Sequence, residues 1–221
     1  VNNEAALNEL QVQTHFRSID NFSRLLVQNT NDAKLYFGRG MDFMLVQDYE
    51  NALKDINKAI ELQPDFLQSY FVRAVIMSKQ LELDPLLPPE TVTQESLTSV
   101  NPADRLKELP QIAKTKIPEV STKSFKYDAI LKDYEMILRL DPNFIFAYYN
   151  MAEIYSLEKD YRAAIDSYSK AIKIEPQFAE AYFNRGLSKL SIGETASGLD
   201  DLRKAGELGV VESYSIIKRM Q

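Results

Sequence analysis

The stretch Asp160–Phe178, DYRAAIDSYSKAIKIEPQF, decides the architecture, because two other stretches repeat its pattern. Asp48–Phe66 reads DYENALKDINKAIELQPDF, and Lys126–Phe144 reads KYDAILKDYEMILRLDPNF. Each closes on a proline: Pro64, Pro142 and Pro176. The last two prolines lie 34 residues apart, whereas the first two lie 78 apart, an excess of 44 over one period. One unit therefore recurs, and one copy carries 44 additional residues. Repetition at this period specifies a solenoid, and the functional question becomes which surface works rather than which active site.

With the closing proline numbered 32, the units begin at Ala33, Leu67, Ile145 and Ala179. Position 4 is tyrosine throughout: Tyr36, Tyr70, Tyr148 and Tyr182. Position 8 is small (Gly40, Ala74, Ala152, Gly186), and position 11 is Phe43, Met77, Tyr155 and Lys189. Position 17 is Tyr49, Tyr127, Tyr161 and Thr195; position 24 is Ile56, Tyr134, Tyr168 and Leu202. Positions 20 and 27 carry Ala52 and Ala59, Ile130 and Ile137, Ala164 and Ala171, Gly198 and Ala205. Spacings of three, four and seven are helical, so each unit predicts two amphipathic helices. The large residues fill the space between helices, and the small ones let backbones approach. Proline at 32 ends the second helix, since it lacks an N–H and biases its predecessor away from helical angles.

This pattern resembles the tetratricopeptide repeat, whose signature is an aromatic-x2-L-G-x2-Y first helix, an A-x3-F second helix and a closing proline. The resemblance covers roughly Ala33–Met220 apart from the insertion. It implies an all-α, right-handed superhelix. The expected organisation is a degenerate helical half-repeat over 1–32, repeats over 33–66, 67–144, 145–178 and 179–209, and a capping helix over 210–221. Departures are Arg39, Arg73 and Arg185 at position 7, Gly198 at 20 and Val210 at 32. The wording of HFRSIDNFSRLL, DFMLVQDYENAL, AYFNRGLSKL and KAGELGVVESYSIIKRM is similar to multi-repeat proteins of Bacteroidetes-type bacteria, often exported. That likeness leans toward an exported or periplasmic protein and leaves the cytoplasm open.

The ends carry their own stripes. Phe16, Ile19, Phe22 and Leu26 read as the second helix of an earlier unit, so the array reads as cut at its N-terminus. Gly206 and Gly209 are expected to stop the last long helix. Val211, Tyr214, Ile217 and Met220 then form a stripe expected to cover the final unit.

The insertion falls at about 80–124, between the two helices of the second unit. It holds six of the nine prolines and none of the seven glycines, which reads as irregular chain. A short helix over Ala103–Leu109 and a helix start near Thr122, capped by Ser121, are expected inside a packed excursion. A segment this long is a decoration of one edge or a contact element over the groove.

Composition narrows the function. Net charge is −6 with no lysine or arginine cluster, which speaks against nucleic acid. No cysteine is present and His15 is the sole histidine, so no thiolate chemistry and no histidine cluster can be built within one chain. His15 reads as a helix-surface residue. Asp55, Asp133, Asp166 and Asp200 read as a solvated face or as partners of Arg and Lys, and Arg39, Arg73 and Arg185 as residues that pack their stems and bond across helices.

By the family resemblance, first helices line a concave groove. Its expected binding residues are Lys34, Phe37, Met41, Gln68, Phe71, Val75, Phe146, Tyr149, Asn150, Glu153, Phe183 and Asn184. Family members that grip acidic chaperone C-termini carry lysine at position 5 and asparagine at 9. Here position 5 is aromatic, so that clamp is not expected. The leading expectation is a non-catalytic scaffold that binds a peptide or protein segment without a cofactor or metal, as a monomer or with weak self-association. Alternatives are a structural, self-assembling part of an envelope repeat protein, or glycan and small-ligand binding by the aromatic face.

Overall fold

A computed structural model describes residues 9–82 and 127–220. Among them the chain is all helical, in ten helices. They are α1 Glu9–Gln28, α2 Ala33–Leu45, α3 Tyr49–Leu62, α4 Leu67–Glu82, α5 Asp128–Leu140, α6 Ile145–Leu157, α7 Tyr161–Ile174, α8 Ala179–Ser191, α9 Thr195–Glu207 and α10 Glu212–Arg219. Helix packs on its sequence neighbour throughout, with α2 on α3, α4 on α5, α6 on α7 and α8 on α9 as hairpins. This is an α-solenoid. α4 runs through Glu82, so residues 80–82 continue its last turn rather than open the insertion. The expected helices at Ala103–Leu109 and near Thr122, with the Ser121 cap and the packed excursion itself, lie outside the described residues.

The prolines act as expected. Each residue before one is extended: Gln63 at φ −139°, ψ 87°, Asp141 at −138°, 97° and Glu175 at −122°, 94°. Where Val210 replaces proline, Gly209 at φ 111° turns the chain instead. Gly206 does not stop α9; it lies within the helix and leaves room for Tyr214, whose ring would come within 2.7 Å of an added Cβ.

The turns inside units use one geometry. The N–H of Asp48 donates to the Phe43 carbonyl at 2.9 Å and that of Gln47 to Met44 at 3.0 Å. Asp160 and Lys159 repeat this on Tyr155 and Ser156, and Glu194 and Gly193 on Lys189 and Leu190. The αL residue at position 15 is glycine only in the fourth unit; Gln47 and Lys159 sit at φ 63° and 62°. An L side chain pays about 1 kcal/mol there. Gln47→Gly and Lys159→Gly are each expected to stabilise by about 0.5 kcal/mol after glycine's larger unfolded-state entropy is subtracted. Urea titration of the double variant checks this, and an unchanged or lower midpoint refutes it.

The core follows the repeat. Ala52, Ala59, Ala74, Ala152, Ala164, Ala171 and Ala205 are wholly buried, as are Ile56, Ile137 and Leu202. Ile76, at position 10, is equally buried, and so are Ala147 and Ala181 at position 3, two positions the periodicity did not single out. In the fourth unit, Gly186 and Gly198 face each other, and a Cβ on either would stand 3.0 Å from the other's carbonyl oxygen.

Both terminal stripes differ from expectation. Of the C-terminal four, only Ile217 is buried; Val211, Tyr214 and Met220 are exposed, and Ser213 takes the buried place beside Ile217. A strict spacing of three drifts about 60° per step on a helix turning 100° per residue, so the stripe wraps around α10 instead of lining one side. In α1, Ile19 and Leu26 are buried and Phe22 is half-buried, while Phe16 is exposed.

Candidate functional site

A separation of 16 residues organises the contacts between helices, and it explains the charged residues. Arg39 Nε and Nη2 donate to Asp55 at 2.6 and 2.8 Å. Arg73 grips Asp133 at 2.9 and 2.6 Å, and Arg185 grips Asp201 at 2.8 and 2.7 Å. The three aspartates are buried, and each fork is bidentate. Each arginine also reaches back to the preceding unit through Nη1: to Ser23, Asn57 and Ser169. Its guanidinium lies 5.4–5.8 Å from the ring of its own position-4 tyrosine, Tyr36, Tyr70 or Tyr182. The aspartates at issue occupy position 23, so Asp55 and Asp133 are partners. Asp166 and Asp200 stand one residue off that register and are exposed. In the third unit the positions are Met151 and Ser167, both buried; acid and base are absent together, and Lys170 stands over Tyr148 at 5.6 Å instead.

His15 is a correction. It is not a bare surface residue: its Nδ1 lies 2.7 Å from Asp42 Oδ1, and its side chain is 23 % exposed. The partner sits 27 residues away on α2, at position 10, which is apolar in the second and third units.

The expected binding residues fall into two groups. In the first, rings of position 5 pack on the phenylalanine at position 34 of the same unit. Phe37 meets Phe66 at 4.8 Å, Phe71 meets Phe144 at 5.5 Å and Tyr149 meets Phe178 at 4.8 Å. Phe37 and Met41 also lean on the cluster of Ala52, Ile56, Val72 and Ile76. These side chains therefore hold the fold as well as line its surface. Phe146, 57 % exposed, bridges Phe144 and Phe178 at 6.1 and 6.4 Å. A ladder of rings thus runs Phe71, Phe144, Phe146, Phe178, Tyr149, Tyr168. Phe66, Phe144 and Phe178 were not among the expected site residues, although their recurrence two residues after each proline marks them.

The second group is polar. Asn150 Nδ2 donates to Tyr134 Oη at 3.1 Å, and Asn184 Nδ2 donates to Tyr149 Oη at 2.9 Å. Tyr149 also interacts with the Glu153 carboxylate, one turn along α6. Ser156 and Asn184 face the Tyr168 hydroxyl. Burial pushes Tyr134 up to about 12, with the Asn150 bond opposing, and pushes Tyr149 and Tyr168 up further. Glu153 is exposed along the face, yet the walls around it desolvate its carboxyl and raise its pKa, while the Tyr149 hydroxyl pulls it back.

Position 6 pairs with position 24 of the preceding unit, again 16 residues away. Gly38 receives the Phe22 ring, where a Cβ would meet it at 2.5 Å, and Val72 and Ile56 share one cluster. Asn150 then meets Tyr134, and Asn184 faces Tyr168. The face is apolar over the first two units and polar over the last two. Of the remaining expected residues, Gln68 and Lys34 are exposed, Val75 and Phe183 half-buried. Lys34 borders a shallow cleft of about 640 Å³ with Asn31, Asp32 and Gln63.

The sequence model of the tetratricopeptide repeat matches residues 33–66 and 145–178, the first and third units. The chain carries tetratricopeptide repeats. Proteins of this kind are generally interaction scaffolds and typically non-catalytic. The fold is that of the crystal structure of MamA, with a TM-score of 0.62 and 16 % identity over 89 % of each chain. MamA 41-end from Desulfovibrio magneticus RS-1 is similar at 0.63 and 14 %, over 90 % of this chain and 88 % of that one. No curated protein matches the sequence. Among the described residues, no group of three or more His, Asp or Glu is placed to hold a metal ion, and no helix is long and apolar enough to cross a membrane.

Proposed function

We propose that this chain is a non-catalytic scaffold whose first-helix face binds an extended peptide or protein segment. The carrying observation is the ring ladder that surfaces at Phe146, with Asn150 one turn and Glu153 two turns further along the same helix and Gln68 and Asn184 on the neighbouring first helices. An exposed phenylalanine held between two others is costly to leave in water and pre-ordered for contact, which suits an anchor at a docking face. Lys34, Phe37, Met41, Phe71, Val75, Tyr149 and Phe183 complete the proposed surface.

The test must spare the rings that also pack the core. A photoreactive benzoylphenylalanine at position 146, where the side chain is exposed, is compared with one at Lys54, 66 % exposed on a second helix. In native lysate, position 146 is expected to trap a discrete polypeptide and position 54 to trap none. Equal capture at both sites, or none at 146, overturns the proposal.

A further inference from the structure

The proposed face is not uniform in charge, and the imbalance is confined to one half. Among positions 2, 5, 6 and 9, the third and fourth units carry Glu153 and Glu180 and no lysine or arginine. Both carboxylates act electrostatically on the Tyr149 hydroxyl, which places them about one ring. Five of the other cations of these two units have partners elsewhere, Arg203 and Lys204 among them on their own helix. Arg185 and Lys189 hold Asp201, the latter at 2.8 Å, and Lys170 stands over Tyr148. Among the described residues no lysine or arginine forms an ion pair with Glu153; the neutral Tyr149 hydroxyl interacts with it.

A carboxylate left without a cation, beside a wall of aromatic rings, has one complement. A lysine or arginine side chain offers a cationic head for the carboxylate and an apolar stem that lies along rings, where ring faces themselves attract the cation. Resting on the proposed docking face, we infer that its third and fourth units select a segment bearing a lysine or arginine, with Glu153 receiving the cation and Phe146, Phe178 and Tyr149 the stem and its apolar neighbours. Tyr149 is the positioning residue: its hydroxyl, held by Asn184 at 2.9 Å, stands one helical turn from the carboxylate and interacts with it. An acidic partner is disfavoured, because it would bring like charge to a site that has no cation to offset it. The desolvation that raises Glu153 is opposed by the charge of an arriving cation, so binding and ionisation reinforce each other.

The probes are fluorescein-labelled degenerate octapeptide pools, each with one central residue fixed as lysine, arginine, norleucine or glutamate. Anisotropy is read with the full chain, with Glu153→Gln and with Phe146→Ala. The glutamine variant keeps the size and polarity of the side chain and loses the charge. The wild-type chain is expected to bind the lysine and arginine pools about tenfold more tightly than the glutamate pool. In Glu153→Gln that ratio is expected to fall to about twofold while the norleucine pool is unchanged. Equal binding of lysine and norleucine pools, or a preference that survives Glu153→Gln, overturns this inference and leaves the docking face standing. If the wild-type chain binds no pool, or if Phe146→Ala binds every pool as the wild type does, the docking face itself fails and the charge preference falls with it.

Discussion

Asp133→Ala is expected to destabilise the chain by about 3 kcal/mol, toward the lower end of the cost of breaking a buried ion pair. Asp133 is 4 % exposed at its side chain and receives both nitrogens of the Arg73 fork, so alanine leaves a guanidinium facing the core. Arg73 is 25 % exposed and keeps its bond to Asn57, which lets it recover part of its hydration and sets the lower figure. The pair also joins α4 to α5 across 60 residues of sequence, so its loss loosens the closure of the longest connection in the array. The informative control is already written in the third unit, where Met151 and Ser167 fill the same two positions. Arg73→Met combined with Asp133→Ser is expected to recover most of the loss, to within about 1 kcal/mol of wild type, because replacing both partners removes the orphaned charge. Urea denaturation followed by far-ultraviolet circular dichroism measures both. A single variant that costs under about 1 kcal/mol, or a double variant no better than the single, would show that packing rather than charge pairing sets the strength of this junction.

Much of this was legible in the chain, for a physical reason. A repeat states its packing rule several times, so tyrosine at 4, small residues at 8 and 20 and proline at 32 gave the helical hairpins and their ends without reference to any contact. What was not legible depended on register or on depth. Asp166 and Asp200 looked equivalent to Asp55 and Asp133, but they stand at position 22, and a rotation of one residue carries a side chain from the junction to water. The Met151–Ser167 replacement could be seen only once Arg39, Arg73 and Arg185 were known to need a carboxylate 16 residues on, or after the insertion in the case of Arg73. The partner of His15 lies on another helix, at a position that is apolar in the second and third units, so periodicity could not supply it. The rings of the proposed face show the limit from the other side. Position 5 was recognised as aromatic, but whether an aromatic binds or packs depends on what lies beneath it, and Phe66, Phe144 and Phe178 lie beneath three of the four.

Tyr168→Ala is expected to have the largest effect of all, about 4 kcal/mol. The side chain is 1 % exposed among Ala152, Ala164, Ile172 and Ala181, four residues that cannot collapse far into the space it would leave. Its ring also supports Tyr149 at 5.7 Å, so the hole opens directly under the polar half of the proposed face. Tyr168→Phe separates the two contributions. It keeps the ring and removes only the hydroxyl faced by Ser156 and Asn184, and is expected to cost about 1 kcal/mol. In an array whose units touch only their neighbours, damage at one junction does not spread evenly. Hydrogen exchange should therefore show α8, α9 and α10 losing protection in Tyr168→Ala while α2 and α3 keep theirs. Uniform loss across the array would mean that the units fold as one cooperative block, and that the junction between the third and fourth is not separable from the rest. The same measurement bears on binding, because Asn184 holds Tyr149, the neighbour of Glu153, only while α8 is docked on α7. A face whose charge selectivity rests on one inter-unit junction is strengthened by any partner that spans it, since binding to the docked state alone adds stability in proportion to the logarithm of partner concentration.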